Sequence, residues 1–214
     1  MPRKPGKPNT YNRIIDISRQ LFNEEGERNI STNHISQRLG ISPGNLYYHF
    51  RNKDEIIVQL FQRYSNKLLD YIRQTELPDS MAKMGEYLQG VYDILWEYRF
   101  LFSDVNTLLV RSKRLLGEHN EFTHVKISPL LVKIFIELRD KGIIEADDEA
   151  LRELGLNVWL LTKYWFDFDN SQHIGCWDEN AKRRGIYQTM SLIRGFVSKE
   201  HYPNYCELMT QYRS

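Results

Sequence analysis

The sequence predicts an all-α protein: a small three-helix module at the front, joined by a long fourth helix to a larger helical body. Three observations lead there. Nearly every segment repeats its apolar residues at the spacing of a helix that buries one face, and none sustains the alternation of a strand. Asn, Ser and Thr open these segments and Gly closes several of them, where caps and left-handed stops belong. The charge is also divided. Residues 1–53 hold nine Lys or Arg against four acids, whereas the whole 214-residue chain carries only +1, which leaves a basic front on a mildly acidic body.

Residues 1–8 read as a flexible basic arm with Arg3, Lys4 and Lys7, and no apolar run follows them as it would in a secretory signal. A first helix is expected over residues 9–25, capped by Asn9 or Thr10, with Ile14, Ile17, Leu21 and Phe22 on one stripe and Gly26 as its stop. Ser31 or Thr32 starts a short second helix carrying Ile35 and Leu39, which ends at Gly40. Ser42 caps a third, and Pro43 sits at its first position, where a missing N–H costs nothing. Asn52 caps the fourth, with Glu55 placed for a capping box and Asp54 favourable to the dipole. Its stripe of Ile57, Leu60, Phe61, Tyr64, Leu68 and Tyr71 is long enough to reach from the front module into the body.

A two-turn helix, a tight turn through Gly40 and Ile41, and a second capped helix make the helix-turn-helix pattern. Ile35, Leu39, Ile41, Leu46 and Phe50 face inward, and small Ser36 lets the two helices approach. That leaves Pro43, Gly44, Asn45, Tyr47, Tyr48 and His49 exposed on the third helix. A merely solvated face favours Glu, Lys and Gln, so this one is built to meet something.

Residues 9–56 resemble the DNA-binding domain of the TetR family of bacterial transcriptional regulators. The family signature ends in a Tyr-aromatic-His-Phe run followed by a basic residue, Asn and Lys, and this chain has "LYYHFRNKDEI" there, with "ISTNHISQRLGIS" for the second helix and turn. The resemblance implies a three-helix helix-turn-helix DNA-binding domain over 9–55 and a helical ligand-binding and dimerisation domain over 56–214. It implies a double-stranded DNA operator, with the third helix in the major groove. Pro43, Gly44, Asn45 and Tyr47 would lie against base edges or thymine methyls. Tyr48, His49, Lys53 and the hydroxyl of Thr32 would hold phosphates. Asn33 stands where other members often place a guanine-reading arginine, and asparagine prefers adenine. The basic arm reads equally as a source of minor-groove or backbone contacts and as a disordered tail.

The body is expected to be helical near 80–98, 104–115, 120–141, 148–169 and 178–199, with Pro129 kinking the third segment or marking a boundary. The stretch "LNVWLLTKYWFDF" (156–168) is apolar nearly all round, so it needs cover from a central core position or from a partner subunit. The resemblance implies the second, a homodimer with two-fold symmetry on an inverted-repeat operator. Trp159, Tyr164, Trp165, Tyr187, Met190 and Ile193 are the candidates for its interface. "YRFLFSD" resembles a sequence recurrent in one subgroup of the family's C-terminal domains. Around it Tyr92, Trp96, Tyr98, Phe102 and Asn106, together with Trp159, are candidates to line a pocket for a small apolar or aromatic ligand. Each is read as core at least as readily.

The six His show no metal spacing, and no phosphate loop, nucleophile elbow or paired acids appear. No enzyme, metal or cofactor is expected. Cys176 and Cys206 form no CxxC pair and read as reduced thiols of a cytoplasmic, nucleoid-associated protein without a membrane span. The expected function is a dimeric repressor released from its operator by a small molecule. The alternative is a protein of the same DNA-binding type without a ligand, serving an architectural or protein-partner role.

Overall fold

Side-chain caps decide where the front helices begin. In the computed structural model, α1 (Thr10–Glu25) starts under Asn9, whose Oδ1 accepts from the Asn12 N–H at 2.9 Å, and it stops at Gly26, where φ is 83°. Ser31 opens α2 (Thr32–Leu39), which ends at Gly40 in the left-handed region that glycine adopts without a Cβ clash. Ser42 opens α3 (Pro43–His49), and Asn52 opens α4 (Lys53–Gln74). Glu55 departs from the expected capping box: its carboxylate takes the Arg51 N–H at 2.9 Å rather than that of the cap residue. The structure describes residues 9–172 and 178–213, so the basic arm with Arg3, Lys4 and Lys7, His173 and Cys176 lie outside the described residues.

The α4 helix ties the front to the body. Ile56, Ile57, Leu60, Phe61, Tyr64 and Leu68 are all buried along it, in an apolar cluster continuous from α1 to the last helix. Each such side chain contributes on the order of 1.5–3 kcal/mol through burial.

The body begins with α5 (Met81–Glu97). The single helix expected over 104–115 is broken. α6 (Phe100–Ser103) and α7 (Val105–Arg111) give way to α8 (Lys113–Asn120), because the Ser112 hydroxyl accepts from the Leu115 N–H at 3.2 Å and restarts the winding. A π-helical stretch (Glu121–Ile127) then leads into α9 (Ser128–Asp140), with Pro129 in its first turn. The wider winding just ahead of the proline accommodates the ring that an α-helical interior would reject. α10 (Asp148–Gln172) and α11 (Asn180–Ile193) follow, and α12 (Tyr202–Tyr212), which the sequence reading did not anticipate, buries Tyr205, Leu208 and Met209. Among the described residues no strand forms, and one antiparallel bridge pairs Ile144 with Val197. No helix among them is long and apolar enough to cross a membrane.

The α10–α11 pair corrects half of the expected dimer surface. Trp165, Met190 and Ile193 are buried inside the protomer, and the Trp165 indole N–H donates to the Ala181 carbonyl at 2.7 Å. α11 lies so close that a Cβ on Gly185 would collide with the Tyr92 and Trp165 rings. What stays outside is a different stripe of α10, with Leu156 58%, Leu160 45% and Phe168 56% exposed at four- and eight-residue steps. Trp159, Tyr164 and Tyr187 are half-buried.

Candidate functional site

The exposed face of α3 follows from what α3 buries. Leu46 and Phe50 point into the module and Ile41 is half-buried beside them. The turn is held by the Ile41 N–H on the Ser36 carbonyl at 3.0 Å, and α3 by the Ser42 hydroxyl, which accepts from the Asn45 N–H at 3.2 Å. Ser36 is buried where the two helices meet. Pro43, Gly44, Asn45, Tyr47 and Tyr48 therefore stand in solvent, Tyr48 at 86% exposure, with His49 half-buried at their end.

Two contacts organise this face from outside α3. The hydroxyls of Thr32 and Tyr47 lie 3.0 Å apart, which ties the first turn of α2 to the middle of α3. Tyr11 stacks on Phe50 with centroids 4.8 Å apart and meets the His49 ring edge-on. Asn33 is exposed on α2 beside Thr32. The face thus offers amide, phenol, imidazole and hydroxyl groups on a rigid frame, the mixture that suits base edges, methyl groups and phosphate oxygens.

Lys53 is not among them. Its ammonium turns inward, 2.8 Å from the Glu27 carboxylate and within 2.8 and 2.9 Å of the Glu27 and Ile30 carbonyls. Three oxygen partners satisfy its three donors, so the phosphate role expected of it does not fit its geometry. Arg51, two residues earlier in the same run after Phe50, is exposed.

Glu27 is the centre of a joint between the front module and the body. Its carboxylate, 6% exposed, also meets Arg111 of α7 at 2.8 Å, and Arg111 in turn meets Asp54 at the start of α4 at 2.8 Å. Burial alone would raise this carboxyl. The hydrogen bonds and charges of Arg111 and Lys53 outweigh burial and hold it below its usual range. Arg28 pairs with Asp104, and the buried Asn23 side chain donates to the Glu97 carbonyl at 2.8 Å while accepting from the Phe100 N–H at 3.1 Å. These contacts tie α6 and α7 to the end of α1, to the link between α1 and α2 and to the start of α4.

Among the described residues, two largely apolar cavities lie between the body helices. The larger, about 80 Å³, lies between α4, α5, α9, α10 and α11 and has an apolar wall that includes Leu68, Tyr87, Phe135 and Met190. The smaller, about 20 Å³, lies between α4, the α6–α8 segment and α10, lined by Phe61, Tyr64, Phe102, His119, Phe122 and Lys163. Trp159 borders both. Of the pocket residues expected from sequence, Trp159 and Phe102 are on these walls and the other four are not. Tyr92 is core, with its hydroxyl 2.8 Å from that of Thr189. Trp96 packs on Phe166 and under the Arg99 guanidinium, Tyr98 packs on Tyr64, and Asn106 faces solvent.

Three buried polar atoms around these cavities have no hydrogen-bond partner: the Tyr64 and Tyr87 hydroxyls and His119 Nδ1. Burial, with the Lys163 charge acting in the same sense, holds the His119 imidazole down at about 4, so it is neutral at ordinary pH. Sequence reasoning missed this group: Lys163 stands out in the apolar stretch 156–168, but His119 lies among polar residues in 113–121 and gives no such signal. Among the described residues no cluster of His, Cys, Asp and Glu could hold a metal ion, and Cys206 is a free exposed thiol.

Comparison with known proteins gives consistent matches over both parts of the chain. The family model for bacterial regulatory proteins of the TetR family matches residues 14–60, and the TetR model described as bacterial transcriptional repressor matches residues 60–205. A TetR-family transcriptional regulator from Marinobacter aquaeolei VT8 is 39% identical, with a TM-score of 0.86 over 97% of this chain and 100% of that one. A transcriptional regulator from Saccharomonospora viridis, solved in complex with choline, shares the fold at 15% identity and a TM-score of 0.70, over 90% of this chain and 100% of that one. An HTH-type transcriptional regulator of Staphylococcus aureus (strain USA300) is 35% identical over 97 residues, 45% of this chain and 51% of that protein. The chain thus spans about half the length of the curated relatives it matches.

Proposed function

From a chain that belongs to the TetR family of transcriptional regulators and carries its DNA-binding helix-turn-helix, we propose a dimeric repressor that a small molecule releases from an inverted-repeat operator. The observation that carries the reading is the face of α3, where Asn45, Tyr47 and Tyr48 stand in solvent on a helix fixed from behind by Leu46 and Phe50. In this reading Pro43, Gly44, Asn45 and Tyr47 meet bases, with Asn33 at the edge of the same groove. Tyr48, His49, Thr32 and, in place of Lys53, Arg51 meet phosphates. Phosphate contacts supply affinity and position, and base contacts supply choice of sequence.

Two copies pair through the outer stripe of α10, Leu156, Leu160, Tyr164 and Phe168, beside Tyr187 of α11. That exposed apolar row is poorly placed in water, and covering it with its own copy makes a two-fold interface. Such pairing sets two α3 helices about 34 Å apart, one turn of DNA. Occupying a promoter blocks transcription without further chemistry, which makes repression the simplest outcome.

A ligand weakens DNA binding only by favouring a dimer state in which that spacing is wrong. The joint of Glu27, Arg111 and Asp54 links the body to the start of α4, the helix that follows α3. The alternative, DNA binding without a ligand, draws on the modest size of the cavities. A mobility-shift assay on DNA flanking the protein's own gene, repeated with pooled metabolites, separates the two. Release of a discrete operator complex supports the sensor. Binding at many dispersed sites, unmoved by any metabolite fraction, refutes it.

A further inference from the structure

We propose that the two cavities are one site for a carboxylate-headed amphiphile, its apolar body in the larger chamber and its carboxylate in the smaller, between Lys163, His119 and the Tyr64 hydroxyl. This deepens the ligand-release reading and rests on it for its consequence, though not for its chemistry.

The two chambers differ in polarity. The larger has hydrocarbon and aromatic walls; of its few polar groups the Thr162 hydroxyl is already bonded to the Val158 carbonyl and that of Thr189 to Tyr92, which leaves the uncharged Tyr87 hydroxyl without a partner. Nothing charged lines it, so an ionic head has no place there. The smaller chamber is lined by one cation, Lys163, and by no carboxylate. Among the described residues the Lys163 ammonium makes no ion pair and lies over the Tyr164 ring at 5.0 Å. Two more donors or acceptors, the Tyr64 hydroxyl and His119 Nδ1, belong to side chains at most 7% exposed and are left unpartnered. Each such group costs about 1–3 kcal/mol when nothing satisfies it, so two of them around one void, beside a half-buried lysine, point to a polar guest.

The sign of the guest follows from Lys163. Rings of Phe61, Phe102, Phe122 and Trp159 could otherwise cage a quaternary ammonium, but a like charge in the same wall opposes it. The link between chambers is Trp159, which borders both and meets Phe122 edge-on at 5.8 Å. Lys163 follows one turn later on the same face of α10. Reorientation of one indole joins the chambers, and Met84 and Met190 in the larger wall adapt readily to a chain.

The test is calorimetric titration of the intact protein with three probes of equal chain length: octanoate, octan-1-ol and octyltrimethylammonium. Octanoate is expected to bind about tenfold tighter than the alcohol, with the ammonium weakest. Lys163→Met, which keeps the stem, should erase the advantage of octanoate and leave the alcohol unchanged. Equal affinity for carboxylate and ammonium, or an unchanged preference in Lys163→Met, overturns the proposal. So does binding of none of the three, with a single water satisfying Tyr64 and His119 in a crystal structure. Operator release is read separately. If metabolites release the operator but octanoate does not bind, the site chemistry falls and the sensor stands. If octanoate binds selectively without releasing the operator, the site stands and the sensor falls.

Discussion

The outer face of α3 and the interior around His119 depart from ordinary protein surfaces in opposite directions. α3 leaves two tyrosine rings in water where charged side chains would be more comfortable, whereas the body hides a phenol and an imidazole, beside a half-buried lysine, where hydrocarbon would be. A chain that gained only stability would have neither. Each makes sense when something from outside completes it, DNA in one case and a small molecule in the other. Between them lies the Glu27 joint, also buried and polar but complete in itself, since every charge there has a partner. The contrast teaches that burial of a charge is no sign of a binding site until its partners have been counted.

The largest expected effect breaks that contrast at its closed end. Glu27→Ala removes the carboxylate that Lys53 and Arg111 share, leaving Arg111 with Asp54 alone and Lys53 with two carbonyls, and urea unfolding should show a loss of about 2–3 kcal/mol. A change below about 1 kcal/mol would mean that the joint is wet and weak.

The open interior is probed by pH. Because the folded His119 titrates at about 4 against an ordinary 6.5, the unfolded chain takes up the proton first as pH falls. Its contribution is complete above 6.5 and drains away as the pH drops toward 4. Replacing His119 by Gln should flatten the stability profile in that window by roughly 1–3 kcal/mol relative to the parent, and parallel profiles would place the imidazole in solvent.

Next come the two basic residues that the motif places side by side and the structure points in different directions. Arg51→Ala should reduce the salt dependence of DNA binding by about one unit of slope, and Lys53→Ala should lower thermal stability and leave the slope intact. The reverse pattern would return Lys53 to the phosphates. The smallest effect concerns Tyr64. Its hydroxyl has no partner, so Tyr64→Phe should change the stability of the ligand-free protein by less than about 1 kcal/mol and could raise it, whereas a loss of several kcal/mol would reveal a partner.

The front module was legible in sequence because its determinants are local. Asn9, Ser31, Ser42 and Asn52 cap the residues beside them, Gly40 turns the chain, and the exposed residues of α3 are what remains once Leu46 and Phe50 are set inward. Direction over longer range was not legible. The inward turn of Lys53 depends on Glu27, 26 residues away, and on a chain path that periodicity cannot supply. In the body, Met190 and Ile193 share a broad apolar face with Tyr187, and only the crossing at Gly185 decides which of them meets the protomer's own core. The ring-rich stretch around Trp96 misled for the same reason: Tyr92 and Tyr98 are core, while α5 turns Tyr87, Leu88, Val91 and Leu95 to the larger cavity and its other walls come from α4, α9, α10 and α11. Ser112 shows the local case again, a single hydroxyl dividing what apolar spacing presents as one helix.

The central claim is that the exposed face of α3 reads sequence. Its direct test is the affinity of Asn45→Ala, against the parent protein, for an operator selected from random DNA and for an unrelated duplex, at one fixed salt concentration. Asn45 is exposed and its side chain bears on no neighbour's packing, so folding should be unaffected within about 0.5 kcal/mol. The expected result is a loss of about 1–3 kcal/mol on the selected operator with binding to the unrelated duplex unchanged. Equal losses on both duplexes, or none on either, would contradict base reading by α3.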